Sequence, residues 1–344
     1  MALLFANYLK RANIHKDQLD WDSALRAIRS ALYILPTAKE ALRVHVKILR
    51  GMEDSEQAAS ILEEALEYHP YWPWAILEMS ELLVCQLQRS SEAWRWLQRL
   101  RLCQHLTPRE QVRWCCLKVK ALLDQHRWYE ASQDLRQALA LFPHDPKLLY
   151  FQGWVALQRH NYCGAASAFL KVLKQDPEDA NTHYHLGKAF HGMGEYRLMR
   201  EHFSIVYELD AENDAPLRQS HQEFLNVALE ALDSLGHSID CSNIRVVVEE
   251  SPSSEILNIF PYDPRNFCLF VPELATSDSE KPQGTFFLFQ QNLERTRLRG
   301  EALREKIVRV YRQQLATSNN IAPANVANFQ PAPVPTQRTG NLQG

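Results

Sequence analysis

The chain has 344 residues, a net charge of −3, 46% hydrophobic and 23% charged residues. That is room for two or three soluble domains, and the near-neutral balance gives no support for a nucleic-acid or membrane-surface protein. No run of about 18 apolar residues occurs, so no transmembrane helix is expected.

The opening segment MALLFANYLKRANIHKDQ makes a poor signal peptide, because Asn7 and Lys10 break its apolar run and no basic residue precedes it. The seven cysteines are odd in number and form no Cys-x-x-Cys. Five lie in helical patterns, where a free thiol behaves as a small buried hydrophobe. This predicts a reduced, cytoplasmic protein without a disulfide scaffold or thiolate zinc site.

Along residues 5–213 one pattern recurs. Trp128, Tyr162 and Tyr196 are spaced by 34, as are Ala131, Ala165 and Met199, and Leu135, Phe169 and Phe203. Pro36 and Pro70 are 34 apart, as are Pro143 and Pro177, each closing a unit. Proline ends a helix because it lacks an amide donor and restricts the residue before it. The small residues Ala24, Ala58, Ala93, Ala131 and Ala165 stand where two helices approach most closely, with one step, Ala93 to Ala131, of 38. These residues resemble the tetratricopeptide repeat, a 34-residue helix-turn-helix unit. Six units are expected, starting near Phe5, Lys39, Trp74, Val112, Pro146 and Ala180. The second and third are degenerate, with Ser55 and Ser90 at the aromatic position. The predicted fold is a mainly α solenoid over residues 1–213, a small α/β domain over 214–318 and a disordered tail from 319.

A single repeat cannot bury its apolar face, whereas stacked repeats can, and the stack presents an inner surface. The resemblance implies that the first helix of each unit lines this surface. The candidate partner-binding positions are then Lys16, Arg43, Lys47, Arg50, Arg113, Lys120, Lys147, Tyr150, Trp154, Tyr184 and Lys188, opposed by Asp17, Glu40 and Glu78. Arg43, Lys47 and Arg50 share one helix face. Two readings stand: a dock for an acidic peptide or a carboxylate, or a solvated face that binds nothing through its charges.

Beyond residue 213 the period changes. LRQSHQEFLNVALEALDSLG reads as an amphipathic helix, NIRVVVEESP, NFCLFVP and GTFFLFQ as strands, YDPRN as a turn, TSDSEKPQG as a loop, and GEALREKIVRVYRQQLA as a final helix. These segments, over about residues 217–317, resemble a bacterial family of minimal zincin-like metallopeptidases. In that family the last helix carries His-Glu-x-x-His, two zinc ligands and a base that activates water. The resemblance places the motif at Gln313 to Thr317: Gln313 and Thr317 stand at the histidine positions and Gln314 at the glutamate. Glutamine is a poor zinc ligand and no general base. His237 is the last histidine of the chain. The implied domain is metal-free and catalytically silent, with no cofactor. Glu249, Glu250, Glu255, Asp263 and Glu273 show no calcium-loop spacing and read as surface charge.

His183 and His185 fall on different sides of a helix and read as ordinary repeat residues. The arginines of ERTRLRGEALREKIVR are interleaved with Glu294, Glu301 and Glu305, as in a salt-bridged helix surface. The tail's PAPVP could form a polyproline II ligand. The expected function is a protein-binding adaptor without nucleic-acid binding or membrane insertion. The alternatives are a metal-dependent peptidase with a non-standard site and a secretion-type chaperone.

Overall fold

The computed structural model describes residues 1–103, 105–214, 216–235, 243–252, 263–272, 284–296 and 298–318. The expected tail, residues 276–283 of the TSDSEKPQG loop and Tyr262 of the YDPRN turn lie outside the described residues. The chain divides into two compact units, Met1–Pro177 and Glu178–Gly344.

The first unit holds five helix pairs: α1 (Ala2–Asp17) with α2 (Trp21–Ile34), α3 (Lys39–Gly51) with α4 (Ser55–Tyr68), α5 (Pro73–Cys85) with α6 (Ser90–Arg99), α7 (Pro108–Asp124) with α8 (Trp128–Leu141), and α9 (Pro146–Gln158) with α10 (Tyr162–Leu173). Each second helix also packs on the next first helix, and first helices meet at α1–α3, α5–α7 and α7–α9. Side chains start several helices by accepting from orphan amides. Asp20 accepts from Ser23 N, Asp54 from Gln57 N and Asn161 from Gly164 N, while Thr107 and Glu110 form a reciprocal capping box.

The periodic alanines do what close approach requires. Ala24, Ala58, Ala93, Ala131 and Ala165 are wholly buried. The 38-residue step has a local cause: α7 has 17 residues where α3, α5 and α9 have 13. Four extra residues make about one helical turn, so the helix lengthens without turning its buried face away.

A further repeat lies in the backbone. Leu19, Glu53, Gln88, His126, His160 and Gly194 each adopt the left-handed conformation, at φ 59°, 61°, 54°, 58°, 57° and 78°. Each sits in the turn inside a helix pair, and their spacings of 34, 35, 38, 34 and 34 follow from those numbers. Only Gly194 is a glycine, so residue type concealed this periodicity from the sequence.

The second unit contains the sixth pair, α11 (Ala180–Met193) and α12 (Tyr196–Glu212), then α13 (His221–Leu235), β1 (Ile244–Glu249), β2 (Cys268–Pro272), β3 (Gly284–Phe289), α14 (Gln290–Glu294) and α15 (Gly300–Ser318). Gly187 of α11 lies against the Phe203 ring, where a Cβ would come within 2.4 Å of it. The sheet order is β1-β3-β2, with β1 parallel and β2 antiparallel to β3. All three predicted strands are present. Phe224, Ala228 and Leu232 of α13 and Leu303, Ile307 and Tyr311 of α15 form one core with Ile244, Val248, Phe270, Phe286 and Leu288 of the sheet. The Tyr311 hydroxyl donates to Ala228 O at 3.3 Å. Leu269, Phe287 and Phe289 pack on the opposite side of the sheet.

A left-handed conformation strains a γ-branched residue but not glycine. Leu19 is 68% exposed, so its side chain contributes little packing. Leu19→Gly is expected to stabilise the first unit by about 0.5 kcal/mol, the relief of strain being partly offset by greater unfolded-state freedom. A urea titration checks this, and a lowered midpoint would contradict it.

Candidate partner-binding face

On α3, Lys39, Arg43, Lys47 and Arg50 follow one another by four, four and three residues and so share one stripe. Arg43 lies over both Trp72 and Trp74, 5.4 and 5.3 Å from the ring centroids, and Lys39 lies 5.6 Å over Trp72. Arg43 and Lys47 are exposed, and neither has an ion-pair partner among the described residues.

Arg50 is different. Its guanidinium pairs with Glu78, and with Glu81 at 3.2 Å. Arg113 of α7 reaches the same two carboxylates from the other side, through Nη2 to Glu78 Oε1 at 2.8 Å and Nε to Glu81 Oε2 at 3.0 Å. Two cations and two anions therefore tie α3, α5 and α7 together across this face. Burial pushes the Glu81 carboxyl up, but Arg113 and Arg50 outweigh it and hold the carboxyl below its ordinary value. Glu81 was missed in the sequence, although it lies three residues from Glu78 on the same helix face.

The remaining candidates of the first unit spread out along it. Lys16 pairs with Asp17 at 3.1 Å. Lys120 donates to the Cys85 thiol sulfur at 3.2 Å. Lys147 is exposed at the start of α9, and Tyr150 and Trp154 meet edge-on with ring centroids 6.2 Å apart.

In the second unit, Tyr184 and Lys188 already hold an acidic side chain of this chain. The Tyr184 hydroxyl donates to Asp263 Oδ2 at 2.7 Å, and Lys188 Nζ lies 3.7 Å from the same oxygen. Arg265, two residues on, lies 4.9 Å over the Tyr184 ring, donates to both Asp210 oxygens at 2.8 Å and reaches Asn181 Oδ1 at 2.8 Å. Asn292 donates to the carbonyls of Pro264 and Asn266 at 2.9 and 2.6 Å and fixes this turn from the sheet side. Asp263, expected to be plain surface charge, is instead held by α11.

His183 pairs with His202 of α12, their Nδ1 atoms 2.8 Å apart, rather than with His185. Burial and then His183 lower His202 to about 4, and burial lowers His185 to about 4. Gln313 is exposed and Gln314 half-buried on α15, and Thr317 lies in its last turn. Among the described residues no group of three His, Cys, Asp or Glu side chains is placed to hold a metal ion. Burial pushes the Cys115 and Cys116 thiols up to about 12, which makes them poor nucleophiles.

Residues 116–180 and 152–196 match the family model for the tetratricopeptide repeat. The helical array is a tetratricopeptide-repeat solenoid. The fold of PilW, described as a widely conserved type IV pilus biogenesis factor, is similar, with TM-score 0.51 and 17% identity over 60% of this chain and 92% of that one. A tetratricopeptide repeat protein from Parabacteroides merdae gives TM-score 0.49 at 13% identity, over 69% of this chain and 94% of that one. A "Lipoprotein NlpI homolog" of Haemophilus influenzae is 34% identical over 86 residues, 25% of this chain and 27% of its own length. The match thus spans about a quarter of that curated relative. Among the described residues no helix is long and apolar enough to cross a membrane.

The carboxyl of Glu81 is lower in the folded repeat than in an unfolded chain. Its contribution to stability is therefore complete above the ordinary carboxylate value and is lost as pH falls from there through the lowered folded value. Glu81→Gln is expected to cost about 1 kcal/mol near neutral pH, discounted for solvent screening, and the difference from the parent protein is expected to shrink at about pH 3. Urea midpoints at the two pH values test it. A difference that does not change with pH would contradict it.

Proposed function

We propose that the protein is a non-enzymatic adaptor that docks an acidic segment of a protein partner on the first-helix face of its repeats. The observation that carries this reading is the pair Arg43 and Lys47. They are exposed on one face, Arg43 lying over Trp74, while the neighbouring Arg50 and Arg113 are neutralised by Glu78 and Glu81. The ion-pair network neutralises Arg50 and Arg113 on this face, and Arg43 and Lys47 stay unpaired among the described residues at the α3 end. Arginine on a tryptophan face is pre-oriented, and both residue types dominate binding hot spots. Lys147, Tyr150 and Trp154 extend the face on α9.

The C-terminal sheet and helices act in this proposal as a silent peptidase-like domain. The support is chemical: Gln313, Gln314 and Thr317 offer neither imidazole ligands nor a carboxylate base. The unbridged thiols of Cys85, Cys103, Cys115, Cys116 and Cys268 favour a reducing, cytoplasmic setting.

Two measurements test the proposal. The double variant Arg43→Glu/Lys47→Glu is expected to release partners captured by the parent protein, and raised salt is expected to weaken the parent complex, since exposed charge attraction is screened over about 10 Å at 0.1 M salt. Partners retained by the variant and indifferent to salt would overturn the docking site. Zinc analysis after dialysis against a weak chelator is expected to find far less than one ion per chain. Stoichiometric zinc with peptide hydrolysis would revive a peptidase.

A further inference from the structure

A cavity of about 490 Å³ opens between α8 and α9, away from the face just described. One wall is a stripe of α8: Tyr129, Ser132, Arg136 and Leu139, at steps of three, four and three. The other wall is Gln152 and Ala156 of α9 with Arg159, the residue that caps its C-terminal end, at steps of four and three. Gln152 and Ala156 each follow Tyr150 and Trp154 by two residues, about 200° around the helix. The floor is apolar, with Leu135 and Val155 both buried.

Ser132 draws the two arginines to one mouth. Arg136 Nε donates to its carbonyl at 3.4 Å and Arg159 Nη1 to its hydroxyl at 3.3 Å. Both guanidiniums are exposed, and no acidic side chain pairs with either among the described residues. The reason lies in the surrounding sequence. The only acids of α8 are engaged elsewhere, Glu130 by Arg127 at 2.6 Å and Asp134 by Lys118 at 2.7 Å. Neither α9 nor α10 contains an acidic residue.

We propose that this cavity is a second docking site, for a short segment of a partner protein that carries an Asp or Glu side chain next to an apolar one. Two convergent guanidiniums suit one carboxylate, because the planar donor forks of arginine match its two oxygens. The floor of Leu135 and Val155 takes the adjacent apolar side chain, and the volume lies within the range of ordinary ligand sites. The site is independent of the first-helix face and stands or falls apart from it.

The test is fluorescence anisotropy with the full chain and a fluorescein-labelled peptide Gly-Ser-Glu-Leu-Leu-Ser-Gly. Its C-terminus is an amide, so its only peptide carboxylate is the glutamate. Saturable binding is expected below about 1 mM. The same peptide with Gln for Glu is expected to bind at least about tenfold more weakly, and so is the parent peptide to Arg136→Gln/Arg159→Gln, through loss of charge-assisted hydrogen bonds. Lys10→Gln/Arg26→Gln removes the same charge from exposed positions outside the cavity and is expected to change binding less than about twofold. Circular dichroism confirms that the exposed substitutions leave the fold intact. Absence of saturable binding, equal binding of the Gln peptide, or an unchanged Arg136→Gln/Arg159→Gln variant overturns the proposal. Loss on Arg43→Glu/Lys47→Glu with retention by Arg136→Gln/Arg159→Gln would also overturn it, by assigning the peptide to the first-helix face.

Discussion

The distance between paired helices governs the repeat array. Two helices joined by a tight turn come together only where one contributes almost no side chain, and Ala24, Ala58, Ala93, Ala131 and Ala165 meet that need with no exposed surface. Once the pair closes, the larger apolar residues of each helix have a fixed partner, as Phe203 has against Gly187. The turn must then reverse the chain in few residues, which forces one residue per unit into the left-handed region. The cost of seating Leu19, His126 or His160 there is about 1 kcal/mol each and is offset by burial of the neighbouring pair.

That division of labour decides how much of the fold was legible. The alanines, the ring positions at 128, 162 and 196, and the terminal prolines are chemical identities repeated in register, so the period could be read directly. The left-handed turns repeat just as faithfully in conformation, but through Leu, Glu, Gln, His and Gly, and no residue type announced them. The 38-residue step read as degeneracy, yet it is one added turn of α7. Adding about 3.6 residues restores the same helix face, which is why the array tolerates it.

The candidate site was legible only in part, because helix geometry assigns a side chain to a face but does not say which neighbour on an adjoining helix reaches it. Arg50 and Arg113 lie on α3 and α7, and their shared partners Glu78 and Glu81 come from α5, 28 to 35 residues away in sequence. Tyr184 and Lys188, expected to face a partner, hold the carboxylate of Asp263 of this chain. A turn with a charged residue on either side of Pro264 gave no local sign that it would be gripped by α11 and by Asn292.

Surface charge in such an array is loosely tied to stability. An exposed ion pair contributes about 0–1 kcal/mol, whereas a buried alanine in a helix contact admits no larger side chain without overpacking that costs about 1–3 kcal/mol. The packing therefore fixes the alanines and leaves the charges free to vary from unit to unit. Against that background the distribution of charge carries information that the fold does not require. Acids compensate the basic side chains around Glu78 and Glu81 and leave Arg43 and Lys47 bare at one end. Around the α8–α9 cavity the acids of α8 turn to Arg127 and Lys118, and α9 and α10 supply none. Neither bare pair is needed to close a helix hairpin. Both stand beside apolar or aromatic surface, the combination through which a helical repeat array gains affinity from burial and selectivity from charge.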